Sequence, residues 1–439
     1  MQYFSCSFVL KKYFQSRLQN LIFKENKMTK KQKNFWLTCF FLLFAAQTFA
    51  CTTFLISGRN TADGKPILFK NRDTDELKNS LVHFNDGRYK YIGLVDGIKE
   101  WKKAVWGGYN ETGFAIINSA AYNNNIGDTT KFKDQEGVIM KLALQTCRTL
   151  QDFENLLKSL PKPSGLDANF GVIDAFGGAS YYETGNYNFT RFDANDPLLA
   201  PNGILVRTNH SLSADLTKGF GFCRFNTAVS ALMKAAAEKQ ISPQFLFNNL
   251  SRNLTHSLTN TDLWADLPEN RAIPEFKFFI DYIPRVSTAS AIMIVGAKNR
   301  EHVKDAMMWT ILGFPLTSVA IPVWISAGDV LPKALTMDEK FQSPICTAAL
   351  KFKAECFPIT YDRGTNYINL SAVINRQNNG YVQLLKPIEQ EIFDKANLLT
   401  AELEKGSKMR KDILSFYEWI DQYLSKTYQV QFGVELFTK

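Results

Sequence analysis

The stretch Gln47-Thr48-Phe49-Ala50-Cys51-Thr52-Thr53-Phe54-Leu55-Ile56-Ser57 joins two unlike kinds of sequence at one residue. Upstream, Lys30, Lys31 and Lys33 precede an uncharged run from Phe35 to Ala46. A charged start, an apolar middle and small residues at Thr48 and Ala50 make up a secretory signal peptide with its cleavage site. Residues 1–50 are therefore expected to be removed on export. Met28 is an alternative start, which would make 28–50 the working signal and 1–27 an over-long beginning. The apolar run is shorter than the ~20 residues a membrane-spanning helix needs. Cleavage would leave Cys51 as the new N-terminus. The rival reading makes Cys51 a lipid-bearing cysteine, but the residues three and two before it, Thr48 and Phe49, are not the aliphatic and small residues such a site wants.

Downstream, residues 51–57 are rich in Thr and Ile, as a strand is. Asp63-Gly64 is a hairpin signal, and Pro66–Lys70 reads as the returning strand. Pairing across a turn at 61–64 sets Cys51 opposite some residue of Arg72-Asp73-Thr74-Asp75-Glu76. A guanidinium and carboxylates thereby come beside the new chain end.

The 439-residue chain carries 51 Lys and Arg against 42 Asp and Glu, a formal charge of +9. Residues 1–50 hold eight of those bases and one acid, Glu25, so the remainder has 43 bases against 41 acids. The excess belongs to the leader, and charge gives no argument for a nucleic-acid partner. A hydrophobic content of 45% and 13% aromatic residues suit a large buried core. Of seven cysteines, Cys6 and Cys39 leave with the leader. Five is an odd number, which suggests one thiol kept free. Cys346 and Cys356 are a candidate disulfide, Cys147 reads as a buried small hydrophobe, and Cys51 is the candidate reactive thiol.

Three more strands are expected at Tyr89–Val95, Trp101–Trp106 and Gly113–Ser119. Helices follow at Val138–Cys147 and, after Thr149 as N-cap, at Leu150–Leu160. A second strand set covers Asn169–Ala175, Ala179–Glu183 across a Gly177-Gly178 turn, Gly203–Thr208 and Ser290–Gly296. The uncharged stretch Ala306–Gly328 has the length of a membrane span, but Gly313, Pro315 and Pro322 favour two buried strands. The chain ends in a helical hairpin at about 384–425: Pro387–Glu404, a break at Gly406, then Lys408–Tyr423 with Ile413, Phe416, Ile420 and Tyr423 on one core-facing stripe. No linker divides 51–439, which reads as one domain.

An N-terminal cysteine places two reactive groups on one residue. Its thiolate is a nucleophile, and its α-amine, with an unperturbed pKa of about 7.7–8.0, can take the thiol proton without a histidine. A nearby carboxylate would hold the amine and a nearby Arg would favour the thiolate. Asn side chains suit the oxyanion of an amide under attack.

Cys51-Thr52-Thr53-Phe54, Asn71-Arg72-Asp73, Asn110-Glu111-Thr112-Gly113-Phe114 leading to Asn118, and Thr208-Asn209-His210 occur in an order that resembles the linear-amide hydrolases of the N-terminal-nucleophile superfamily. These include choloylglycine hydrolases, penicillin V acylases and the autoproteolytic isopenicillin N acyltransferase group. The resemblance runs from 51 to about 330, through Trp309–Pro322. It implies an α+β fold, a four-layer αββα sandwich with the nucleophile at the edge of a central strand. It also implies Cys51 as nucleophile and base and Asp73 as the group that orients the amine. Asn118 and Asn209 would lie near the oxyanion and Arg224, in Cys223-Arg224-Phe225, near the thiolate. Lys70 stands where the family usually has Arg, and Arg72 is the candidate replacement. Arg72-x-x-Asp75 leaves a second register open, in which Asp75 takes the place of Asp73.

Other chemistries fit less well. Four histidines, His83, His210, His256 and His302, have no ligand spacing, and no Cys-x-x-Cys occurs, so no metal or other cofactor is expected. A papain-like pair of Cys51 with His210 would want the cysteine at a helix start. Gly219-Phe220-Gly221 lacks the setting of a phosphate loop. The sequence therefore predicts an exported cysteine amidase acting on a small-molecule N-acyl amide, with no nucleic-acid partner and no membrane span once the leader is gone. The alternatives are an acyltransferase using the same acyl-enzyme, or a lipid-anchored binding module without catalysis.

Overall fold

The computed structural model describes residues 51–405 and 409–437, which fall in the compact unit Phe49–Lys439. The expected leader with its cleavage site, and the expected break at Gly406, lie outside the described residues.

Strand β1 (Thr52–Ile56) pairs antiparallel with β2 (Ile67–Asp73), with Thr52 opposite Asn71 and Thr53 opposite Lys70. Continuing that register by one residue sets Cys51 opposite Arg72, within the window read from the sequence. The turn is tight: a side chain at Gly58 would run into the Gly64 carbonyl, and Gly64 itself has φ +75°. A seven-stranded antiparallel meander follows: β3 (Asn79–Phe84), β4 (Tyr91–Asp96), β5 (Gly108–Asn110), β6 (Ala115–Ala120), β7 (Ala168–Ile173), β8 (Ala179–Thr184) and β9 (Phe189–Asp193). The chain then returns as β10 (Ile204–Arg207) to the far edge of β1. Small pairs follow, β11 (Thr255–His256) with β12 (Thr261–Asp262), and β13 (Phe276–Phe278) with a late strand at Tyr367–Asn369. Strands β14 (Thr288–Val295), β15 (Met307–Leu312) and β16 (Ile321–Trp324) complete a six-stranded sheet in the order β10-β1-β2-β14-β15-β16.

The two sheets lie face to face, with β1 and β2 over β6, β7 and β8. Helices α1 (Glu136–Thr146) and α2 (Leu150–Ser159) cover the outer face of the meander. Thr149 caps α2 through a capping box with Asp152, as its position in the sequence suggested. Helices α3 (Phe222–Ala237), α4 (Pro344–Cys356), α5 (Tyr381–Glu404) and α6 (Met409–Phe432) lie on the side of the other sheet. The layers stack as a four-layer αββα sandwich, the α+β arrangement that the resemblance implied.

Several expectations needed correction. Trp101–Trp106 is not a strand: Trp101–Lys103 is a short 3-10 turn, and the strand begins later at Gly108. Its two indoles pack on Phe84 and under Arg72. Strand β3 was not foreseen. Helix α5 starts at Tyr381 rather than Pro387, with that proline inside it. Cys346 and Cys356 both sit on α4 as free thiols. Ten residues of helix separate them by about 15 Å, beyond disulfide reach. Ala306–Gly328 forms the buried β15–β16 pair, and among the described residues no helix is long and apolar enough to cross a membrane.

A buried ion pair anchors α5 to the sheet below it. Arg252 places Nη2 2.6 Å and Nη1 2.9 Å from the two carboxylate oxygens of Glu389. Its remaining donors reach the Pro315 and Ser318 carbonyls, and Ala320 N donates to the same carboxylate. Losing one partner would leave a charge buried without compensation. Glu389→Ala should therefore lower the unfolding free energy by about 3–5 kcal/mol, measured by chemical denaturation.

Candidate active site

Alternation along β2 decides which residues can meet. Phe54 and Phe69 stack at 4.6 Å, and Phe69 meets Phe247 in the helical layer, so their side of the sheet faces outward. Asn71 and Asp73 share that side; Lys70 and Arg72 take the opposite one, facing the meander. By the same rule Cys51 shares the inner side with Thr53, whose hydroxyl accepts from Tyr181 on β8.

Cys51 is buried, and it lines a cavity of about 580 Å³ with Lys70, Arg72, Asp73, Trp106, Asn118 and Tyr122. Its carbonyl accepts from Arg224 Nη1 at 2.8 Å. The same guanidinium donates to Thr52 Oγ1 at 2.9 Å and, through Nη2, to Asn209 Oδ1 at 2.8 Å. Asn209 continues β10 by two residues, so the β1–β10 register sets it across from Cys51. Its amide nitrogen donates to the Ala120 carbonyl. Arg224 enters from the first turn of α3, whose N-cap is Gly221 at φ +78°. A side chain there would collide with the guanidinium, which explains the Gly-x-Gly before Arg224. Burial and the nearby Arg285 push the Arg224 pKa down to about 10, so it is charged at neutral pH.

Asp73 accepts from Thr288 Oγ1 at 2.6 Å and pairs with Arg285 Nε at 3.0 Å. Thr288 is held in turn by Lys353, whose Nζ donates to its carbonyl at 3.1 Å. Asp75, the alternative, is exposed, although it lines the same cavity. Arg72 pairs with Asp96 at 2.7 Å and donates to Asn79 Oδ1 at 2.8 Å. Its guanidinium lies 4.7 Å from the centre of the Trp106 ring.

Lys70 meets Asn118 directly: Nζ lies 2.6 Å from Oδ1, and 2.8 Å from the Trp106 carbonyl. Burial holds this lysine at about pKa 8; Cys51 acts against that shift and Arg72 reinforces it. The sequence singled out Lys70 only as a departure. Arg285 and Tyr122 were not singled out at all, and Arg285 comes from a loop far along the chain, with no local motif.

Other motif residues serve the framework. Asn110 Oδ1 accepts from Thr112 and Phe114 in the β5–β6 turn, while its nitrogen donates to the Leu144 and Cys147 carbonyls. Asn71 and Ser251 exchange two hydrogen bonds. His210 keeps Nδ1 3.0 Å from the Phe220 carbonyl and stacks on Phe222, and burial lowers its pKa. Among the described residues, no group of three or more His, Cys, Asp or Glu could hold a metal.

Residues 59–244 match the family model described as acyl-coenzyme A:6-aminopenicillanic acid acyl-transferase. The matched segment begins after Cys51 and contains Lys70, Arg72, Asp73, Asn118, Asn209 and Arg224. With the fold, this match bears out the resemblance to N-terminal-nucleophile linear-amide hydrolases. No curated protein sequence matches the chain. Among solved structures, a variant of the conjugated bile acid hydrolase from Clostridium perfringens is 11% identical, covering 63% of this chain and 92% of that one, with a TM-score of 0.37. Penicillin V acylase from Agrobacterium tumefaciens is 12% identical, covering 63% and 86%, at 0.35. At these scores neither adds to the argument.

Three of the thiols among the described residues should be slow to react. Burial pushes Cys147 up to about 12, Cys346 up to about 11 and Cys356 higher still. Each unit of pKa removes a factor of ten in thiolate. Iodoacetamide on the native protein at pH 8 should modify these three at least roughly 100-fold more slowly than a cysteine in a free peptide, as peptide mass spectrometry against that reference would reveal.

Proposed function

We propose that this chain is an exported amidase whose nucleophile is Cys51, freed as the N-terminus by loss of residues 1–50. The observation that carries the reading is the convergence, at one cavity, of the Cys51 thiol with Lys70, Asn118 and the Asp73 carboxylate, beside the Arg224 guanidinium.

In the processed chain the α-amine takes the thiol proton, and sulfur adds to the carbonyl carbon of an N-acyl amide. The carbonyl electron pair moves to oxygen, and the oxyanion accepts from Asn118. As the C=O re-forms, the C–N bond breaks and the ammonium returns its proton to the departing nitrogen. Water then adds to the thioester, giving its proton to the amine. Collapse breaks the C–S bond, the thiol recovers its proton, and the carboxylic acid leaves. Asp73 is placed to orient the amine. An amine in place of water would turn the same acyl-enzyme to acyl transfer; the matched family model favours keeping that second reading.

The cavity also bears on the substrate. Besides the paired Asp73 and Asp96, six carboxylates line it: Asp75, Glu76, Asp128, Asp134, Glu136 and Asp167. Among the described residues none of the six is in an ion pair within 4.0 Å. Burial raises Glu136 to about 7 and Asp167 to about 6, and Lys133, a cation of the same lining, only partly offsets the rise at Asp167. Such a lining disfavours anionic amides and suits a substrate whose amine portion is cationic.

The test is a screen of N-acyl amides with the chain processed to Cys51, scored by amine release. Bile salt conjugates, penicillin V, acyl amino acids and N-acyl diamines form the panel. Turnover is expected, fastest for the diamines, and Cys51→Ala should lower kcat by about 10³-fold or more with the fold retained. A mature N-terminus other than Cys51, or undiminished turnover in Cys51→Ala, would sink the mechanism. A preference for anionic amides would overturn the substrate assignment alone.

A further inference from the structure

Asn118 can present either end of its amide to the cavity, and only one end can serve an oxyanion. What decides between them is its neighbour on β2. A lysine ammonium has three donors and no acceptor, so the amide oxygen must be the end that meets Lys70 Nζ at 2.6 Å. A second donor of the same ammonium is taken by the Trp106 carbonyl. Trp106 is itself held by a 2.6 Å bond from its indole nitrogen to Asp96, the partner of Arg72. The titratable groups that act on Lys70 are Cys51, just before β1, Arg72 beside it on the same face of β2, Asp73 on the other face, and Asp96 on β4.

We propose that Lys70 is a positioning residue: by engaging Asn118 Oδ1 it turns Nδ2 toward the cavity, and so maintains the donor for the oxyanion formed at Cys51. This inference rests on the amidase reading and adds a mechanism for keeping the oxyanion donor in place. The neutral amine would not hold the amide in the same way. It retains two N–H groups but brings a lone pair that can accept from Nδ2, and its bond to Oδ1 loses the charge assistance that roughly doubles such bonds. The oxyanion donor is then available while Lys70 is charged and is lost as the pH rises through about 8. A guanidinium at position 70 would stay charged throughout this range.

The experiment uses the processed protein and the fastest amide from the screen. Wild-type kcat should fall on the alkaline side with an apparent pKa near 8, and Lys70→Arg should lose that fall while keeping measurable turnover. Lys70→Met and Asn118→Ala should each lower kcat by about 10²–10³-fold with little change in KM. The double variant should be no slower than the slower single one, because both changes remove the same donor. Effects that multiply in the double variant, or an alkaline limb unchanged in Lys70→Arg, would overturn the proposal. If Lys70→Met does not fold, the Lys70→Arg profile decides alone. Failure of the wild-type protein to release amine from any amide would instead count against the amidase reading.

Discussion

Everything at this site depends on the register between β1 and β2. A strand sends successive side chains to opposite faces, so a slip of one residue would exchange the two sets. With Thr52 opposite Asn71, the inner face receives Cys51, Lys70 and Arg72, and the outer face receives Asn71 and Asp73. The slip is resisted on both faces. Outside, the Phe54–Phe69 stack closes on Phe247; inside, Thr53 is bonded to Tyr181. At the turn, the approach of Gly58 to the Gly64 carbonyl leaves no room for a longer side chain. A hairpin of about twenty residues thus sorts Lys70 and Arg72 to the Cys51 side of the sheet and Asp73 to the other.

How those cations are satisfied matters as much as where they are. Lys70, Arg224 and Lys353 are all buried, yet their hydrogen bonds go to neutral oxygens. Lys70 reaches an amide and a carbonyl; Arg224 reaches a carbonyl, a hydroxyl and an amide; Lys353 reaches the Thr288 carbonyl. Neutral acceptors take these donors without cancelling the charge, and Arg224 Nε is left without a partner. The positive potential therefore remains where a thiolate and an oxyanion would form, and fixed groups supply it without reorganisation. Arg252 is the contrast within the same chain: its charge is matched by both oxygens of Glu389, and it serves to dock a helix. Arg72 lies between these cases, paired with Asp96 and covered by Trp106.

This division also explains what the sequence could disclose. The strand that follows Cys51, the 61–64 turn, the N-cap at Thr149 and the β15–β16 pair were legible because each is encoded within about ten residues by pattern and turn chemistry. Hairpin arithmetic alone brought Cys51 to within the window 72–76, and the observed register selects Arg72. The bond from Lys70 to Asn118 was not accessible that way: it spans 48 positions and exists only because one sheet packs on the other. Arg285 reaches Asp73 across 212 positions from a loop without regular structure. Pro387 was misplaced for a different reason. A proline usually marks the start of a helix, but α5 begins six residues earlier at Tyr381, where Gln383 closes a cap on Gly380. The Trp101–Trp106 segment is a short 3-10 turn followed by irregular chain, whose two indoles are placed by Phe84 and Arg72, contacts that no local pattern announces.

The site has a further asymmetry that bears on how such an enzyme could be made safely. In the chain with residue 50 still attached, the nitrogen of Cys51 is an amide and cannot accept a proton. Yet Arg224 already holds the Cys51 carbonyl, Lys70 already holds Asn118, and Arg285 with Thr288 already holds Asp73. None of these contacts uses the α-nitrogen. On the proposed reading, removal of the leader leaves these particular contacts intact. It converts an amide into an amine beside groups that are already placed, and so changes the chemistry of one nitrogen while leaving the framework as it stands. The cost of burying Lys70 and Arg224 is then met during folding, before any substrate can be turned over, and catalysis begins only when the proton acceptor appears.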